Sequence, residues 1–205
     1  MRRQLVVAAA LLAIALSAAV AVAATGTARL AFGRADVTAA DVKSYERLTV
    51  EGCASLAPVG APDLPARVLH FVIPCDSRVE DVVAEYEETE LRGTHLVLPA
   101  QPEVPIGETP RWAEPDPSIY ESADPYPESR VVYLGDGYLG GYRIASVAVY
   151  PIQYVPSEGR LVLATDVSVE LELARGANRS VSRRRMTGRS AELYRGIVSG
   201  MVENP

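Results

Sequence analysis

The chain has 205 residues, 48% of them hydrophobic and 22% charged, with 15 Gly, 15 Pro, two Cys and a formal net charge of −6. That profile excludes a disordered or collagen-like chain and leaves room for one domain or two small ones. It also argues against nucleic acid as a partner, because a phosphate backbone demands basic side chains.

The first element is a targeting segment. Arg2 and Arg3 precede a nearly unbroken aliphatic run from Leu5 to Val22, and Val22-Ala23-Ala24 supplies the small residues of a cleavage site. This reads as a signal peptide over 1–24. About 20 apolar residues would also span a bilayer, so a membrane anchor is the competing reading. The Ala-rich run and its small-residue exit favour removal, and Arg2-Arg3 lacks the rest of a twin-arginine pattern. The processed product is then expected to be secreted or periplasmic, with no membrane association after signal removal.

The body, 25–174, is expected to be all-β. Strand candidates fall at Ala28 to Phe32, Tyr45 to Glu51, Arg67 to Ile73, Thr94 to Leu98 and Arg130 to Leu134, separated by Gly, Pro and Asp clusters as in an antiparallel β-sandwich. Gly141 to Tyr154 is rich in Val, Ile and Tyr, and Val155-Pro-Ser-Glu-Gly159 turns it back into Arg160 to Ala164 as a hairpin. The clearest strand follows: Val167, Val169, Leu171 and Leu173 alternate with Asp166, Ser168, Glu170 and Glu172, one face buried and one wet. Val79, Val82, Val83 and Tyr86 fit helical spacing as well as a bulged strand, and strand is the preferred reading. The run Glu85, Glu87, Glu88, Glu90 lacks the spaced oxygen donors and glycine of a calcium loop and reads as a solvated face.

Cys53 and Cys75 lie in a chain bound for an oxidising compartment. They either pair as a disulfide, adding roughly 3 kcal/mol on the chain-entropy model, or remain two buried free thiols. With His70 and His95 they match no zinc spacing, so neither metal nor cofactor is expected. All four lie in or beside strand-like runs, which argues against a Cys–His catalytic pair. Gly135-Asp-Gly137-Tyr-Leu-Gly140 satisfies a dinucleotide-binding pattern, but β-rich sequence follows where a helix should begin, so the glycines are assigned to a tight turn or bulge.

Residues 99–127 hold eight of the 15 prolines and must form a long irregular loop, because proline cannot donate to a ladder. Residues 175–189 contain six arginines and no acid, marking a basic linker, and Asn178-Arg-Ser180 matches a glycosylation sequon. Beyond it, 190–205 reads as a short C-terminal helix, with Ser190 able to cap and Leu193, Ile197 and Met201 repeating along one face.

A family resemblance runs from about Leu48 to the end. It is carried by Gly60-Ala-Pro-Asp-Leu-Pro65, Val72-Ile-Pro74, Leu98-Pro-Ala-Gln-Pro102, Tyr126-Pro127 and Gly141-Tyr-Arg-Ile-Ala145. It is strongest across Val149-Tyr-Pro-Ile-Gln-Tyr-Val-Pro156 with Gly159-Arg-Leu161 and Thr165-Asp-Val167. In these segments, and in Ser190-Ala-Glu-Leu-Tyr-Arg-Gly-Ile-Val with Asn204, the chain resembles the N-terminal propeptide of gingipain-type cysteine peptidases.

The resemblance implies a catalytically silent sandwich that helps its protease fold and covers the cleft until cleaved. The partner is then the cognate cysteine peptidase domain, whose catalytic His and Cys would lie beyond position 205. In such propeptides the loop after the segment matching Leu96 to Pro99 can insert a basic side chain into the specificity pocket. Pro99 to Pro110 here contains no Lys or Arg, which makes Pro105, Ile106 and Gly107 positional candidates for the contact, with Arg111 a nearby substitute. Turning the loop is the competing role for these residues. Arg183-Arg184-Arg185 is either a processing site or part of a solvated linker. The alternative from another class is a free-standing secreted β-sandwich for adhesion or glycan binding, using Trp112, Tyr120, Tyr126 and Tyr138 as its surface.

Overall fold

The computed structural model describes residues 23–108, 111–175 and 188–205. The expectation of an all-β antiparallel fold with a short C-terminal helix is met. In chain order the strands are β1 (Ala23–Ala31), β2 (Val37–Val42), β3 (Tyr45–Val50), β4 (Ala54–Ser55), β5 (Pro65–Ile73) and β6 (Ser77–Leu91), followed by β7 (Val131–Leu139), β8 (Tyr142–Val149), β9 (Ile152–Val155) and β10 (Arg160–Arg175). A one-turn helix α1 (Pro117–Tyr120) interrupts the long loop, and α2 (Gly188–Ser199) closes the chain.

The alternating segment around Val167 is part of β10, which organises one sheet. It pairs with β6 along one edge, and with β1 and β9 along the other, in the order β1-β10-β6 with β9 beside β10. Its inward residues Leu161, Leu163, Val167, Val169, Leu171 and Leu173 are all buried. They share one core cluster with Leu69, Phe71, Val147 and Val149 of the second sheet, ordered β4-β5-β8-β7. β2 and β3 form a separate hairpin. Strand β8 is buried on both faces, because Ile144 on its outer side packs with Val198 and Val202 of the C-terminal segment. That explains its continuous apolar run, where β10 alternates.

The ambiguous stretch at 79–86 is strand β6, with register shifts in its pairing to β10 that accommodate the mixed faces. The glycine pattern behaves as a bulge and a turn. β7 shifts register between Tyr133 and Gly135, and Gly140 and Gly141, at φ 55° and 84°, reverse the chain into β8.

Three expectations are corrected. Thr94 to Leu98 is not a strand: it bridges β3 through Glu46 and Val97, then crosses to residues 61–63, where Pro62 and Pro99 sit opposite one another. The flanking bonds, Asp63 N to Leu98 O and Ala100 N to Ala61 O, need no donor from either proline. Gly141 to Tyr154 is two strands, broken where Tyr150 N donates to Arg130 O and Ala164 N to Pro151 O. The helix presents its other side to the sheet: Val198 and Val202 are buried while Leu193, Ile197 and Met201 are exposed. Asn204 then caps the free edge of β5, its side chain accepting from Val72 N at 2.8 Å and donating to Val72 O at 2.9 Å. Of the two readings left open for the cysteines, a disulfide and a pair of free thiols, the structure has Cys53 and Cys75 as free thiols, each partly buried. Cys53 adjoins β4, which pairs at the start of β5, whereas Cys75 follows the far end of β5. Eight residues of strand at about 3.3 Å each place them roughly 25 Å apart, well beyond the reach of a disulfide. Burial pushes the Cys53 thiol up, against the lowering effect of Arg67, which keeps it protonated.

Two buried arginines stitch the sheets together. Arg130 donates to Glu88 at 2.9 Å and to the carbonyls of Pro151 at 3.0 Å and Val162 at 3.1 Å. Arg143 donates to Asp136 at 2.6 Å and to the carbonyl of Ser77. The Arg143 hydrogen bond, aided by a second from Tyr133, holds the Asp136 carboxyl below its ordinary range despite partial burial. Desolvation, with that same bond, pushes Tyr133 up to about 12.

Replacing Arg130 by Ala orphans buried carbonyls and should cost about 2–4 kcal/mol in urea unfolding, whereas Glu88→Gln, at a half-exposed carboxylate, should cost under about 1 kcal/mol. Asp136, depressed in the folded state, contributes stability above the unfolded carboxyl value near about 3.9 that disappears as pH falls through the folded value. Asp136→Asn should therefore flatten the decline of the urea midpoint between about pH 5 and pH 2.

Candidate functional site

The proline-rich segment is held at its base and projects at its tip. Its incoming stem is fixed by Glu46, whose backbone N donates to Leu96 O and whose carbonyl accepts from Leu98 N, both at 2.8 Å. The Glu46 carboxylate also meets His95 Nδ1 at 2.7 Å, and the other ring nitrogen faces the Arg92 carbonyl at 3.2 Å. Further along, Gly60 N donates to Ala100 O and Asp116 N to Gly60 O, so residue 60 joins the two stems.

Gln101 closes the loop. Its amide nitrogen donates to the carbonyls of Pro99 at 2.8 Å and Ala113 at 3.1 Å, and its oxygen accepts from Ala113 N at 2.9 Å. One side chain thereby spans the 12 residues from stem to stem. Trp112 is fixed from outside: its ring lies 6.1 Å from that of Tyr45, and the Lys43 ammonium sits 3.3 Å from its centroid, a cation–π contact at the β2–β3 turn. After the loop, Asp116 caps α1 by accepting from Ser118 N at 2.9 Å.

The tip is a tight turn. Glu108 N donates to Pro105 O at 3.1 Å, and Gly107, third of the four residues, has φ 96°, as a type II turn requires. Ile106 stands at its apex and is fully exposed. Of the sequence candidates, Pro105, Ile106 and Gly107 are thus brought into one turn, and Arg111 lies exposed on the returning limb. Arg183, Arg184, Arg185 and the sequon at Asn178 lie outside the described residues, as does most of the leader. The ladder of β1 begins at Ala23, beside the suggested cleavage point.

Sequence reasoning missed Gln101 and Lys43. A lone Gln between two prolines has no local pattern, since its partner is the backbone of Ala113. The aromatic surface suggested by the adhesion reading is not assembled. Tyr120 donates to Val97 O, Tyr126 exchanges backbone bonds with Tyr154, and Trp112 is packed as above, leaving Tyr138 exposed. Beside the loop stem an open depression of about 420 Å³ is lined by residues including Arg47, Asp63, Gln101 and Glu103. The pair nearest to a nucleophile and base, His70 Nδ1 and Ser146 Oγ at 2.9 Å, lies on β5 and β8 with no carboxylate bonded to the ring among the described residues.

Comparison with known proteins bears on the family and the fold. The Propeptide_C25 family model matches residues 20–191. No curated protein matches the chain. Among solved structures, the complex of Porphyromonas gingivalis RgpB pro- and mature domains includes a chain similar at 16% identity and TM-score 0.68, covering 87% of this chain and 91% of that one. A structure on the zymogenic latency of gingipain K from the same organism is similar at 17% identity and TM-score 0.55, covering 74% of this chain and all of the other.

If Gln101 is the clasp, Gln101→Ala should speed tryptic cleavage after Arg111 about tenfold, read by mass spectrometry, while the thermal midpoint moves by less than about 5 °C. Equal cleavage rates would show that the loop is held by other contacts.

Proposed function

The chain belongs to the Propeptide_C25 family, and on that premise we propose that it serves a secreted, gingipain-like cysteine endopeptidase as folding assistant and cleft-blocking inhibitor. It is a pro-region and not a catalytic domain. The observation that carries the blocking role is the loop closed by Gln101, with a rigid stem and an apex free to enter a groove.

Blocking of this kind asks for shape and not for chemistry. Proline and the stem bonds fix the loop before docking, which lowers the conformational entropy lost on binding. The turn at Pro105–Glu108 also resists cleavage, because Gly107 folds the backbone away from an extended path. In the same reading, 1–24 is the export signal and 25–174 the inhibitory body. Residues 175–189, with Arg183, Arg184 and Arg185, are the processing segment, and 190–205 leads toward the enzyme. The RgpB complex offers a relative in which pro- and mature domains associate.

The test is titration of the catalytic domain of its own precursor with the purified chain. Stoichiometric inhibition is expected, and exchanging 103–108 for a Gly-Ser segment of equal length should raise the inhibition constant at least about 100-fold with an unchanged thermal midpoint. A chain that leaves the enzyme fully active, or a loop exchange without effect, would sink the blocking role. Refolding yield of the catalytic domain with and without the chain tests the folding role separately.

A further inference from the structure

We infer that the outer face and free edge of the second sheet form a docking site for the chain's own segment 194–204, which stays bound there after the basic linker at 175–189 has been cut. The inference rests on the pro-region reading in one respect only, that the linker is where the chain is cut. It adds a regulatory consequence: a cut there opens the polypeptide without parting its two pieces.

The segment has a continuous seat. Tyr194, Val198 and Val202 follow one another at helical spacing along one side of α2 and its last turn. Tyr194 lies over the β7–β8 turn at Gly140, where its ring occupies the space that a Cβ would need. Val198 and Val202 are buried against Ile144, with Val72, Leu139 and Tyr142 packed around them. Leu193, Ile197 and Met201 face away and take no part in this seat.

Past the helix the segment pairs with a strand edge. β4 covers β5 only at Pro65 and Ala66, which leaves backbone groups farther along to find other partners. Glu203 N donates to His70 O at 2.8 Å, and the Asn204 side chain takes both the N–H and the carbonyl of Val72. Apolar anchors combined with main-chain bonds along an edge are the means by which a separate peptide is recognised by a sheet.

The two sides of the linker are anchored independently. β10 runs to Arg175, which pairs with Ser77 of β6, while Tyr194 to Asn204 are held by the second sheet. A cut within 176–187 therefore removes none of these contacts. It removes only the covalent tether that makes docking intramolecular, so the seat must then hold by its own affinity. On the pro-region reading, a chain cut at Arg183, Arg184 or Arg185 keeps its C-terminal piece moored at the edge of β5. Parting the pieces then takes a further event, undocking of 194–204 or a cut beyond it.

The test uses the full chain with the recognition sequence of a site-specific protease inserted between Val181 and Ser182 and a fluorophore attached past Pro205. After complete cutting, dilution is followed by fluorescence anisotropy. The C-terminal piece is expected to stay bound with a dissociation constant below about 30 µM. Val198→Asp puts a charge into the seat and should weaken retention at least about 30-fold, and Asn204→Ala about fivefold. Leu193→Asp, on the exposed stripe, should stay within about twofold. Each variant is first checked uncut for wild-type Trp112 fluorescence and sheet circular dichroism. Val198→Ala, expected at about tenfold, takes the place of Val198→Asp if the latter fails that check. A dissociation constant above about 30 µM overturns the inference, as does retention indifferent to both Val198 and Asn204, or retention lost with Leu193→Asp. No peptidase is present in this assay, so a chain that fails to inhibit sinks the pro-region reading alone, and a segment lost on cutting sinks the docking alone.

Discussion

Tyr154, 1% exposed in the core, donates its hydroxyl to the carbonyl of His95 at 3.0 Å and exchanges backbone bonds with Tyr126 at 2.7 and 2.8 Å. Those two partners stand at either end of the proline-rich excursion. The loop is therefore anchored at both limits to one strand, β9, which is itself fixed by its hairpin with β10. Burial pushes the Tyr154 phenol up, so the donor stays protonated throughout the neutral range. The inward row of β10 against β5 and β8 thus does more than form a core. It sets the position from which a distant turn is presented.

Proline explains why the anchoring takes this form. A segment with so few backbone donors cannot join a sheet, and each remaining N–H must find its own acceptor. The bonds made by Asp63, Ala100, Ala113 and Asp116 are placed where donors exist, and Pro62 faces Pro99 where none is needed. Gln101 supplies what the backbone lacks, one donor group and one acceptor on a side chain long enough to span the stem. The outcome, among the described residues, is a loop held by individual bonds between Leu98 and Asp116, with a turn that Gly107 permits.

Local pattern made much of this legible. Alternation marked β10 and turn residues marked the β9–β10 hairpin, whereas Pro105, Ile106 and Gly107 were singled out through the resemblance, with turning the loop as their competing role. What failed was decided by distant partners. Thr94 to Leu98 has strand composition but divides its bonds between β3 and residues 61–63. The helix carries two apolar stripes, and only the position of Ile144 and Val72 on the outer sheet face selects Val198 and Val202 over Leu193 and Ile197. The cysteines could have paired in an oxidising compartment, yet the length of β5 between them keeps them apart. Gln101 was invisible for the same reason: its meaning lies in a backbone group across the loop.

An apex of one isoleucine gives little affinity by itself, and on the pro-region reading it need not give more. Its burial, about 1.5–3 kcal/mol, falls well short of the roughly 12 kcal/mol of a nanomolar complex. Modules sharing one chain meet at effective concentrations near about 1 mM, so an interface worth about 4 kcal/mol already keeps the cleft half occupied. On that reading, cutting the connection would remove that concentration and leave the remaining contact area to decide how long the chain stays bound. On the same reading the covalent link would supply much of the apparent strength. Such a division would let association be secure while the chain is continuous and reversible once it is cut, without any change in the sandwich.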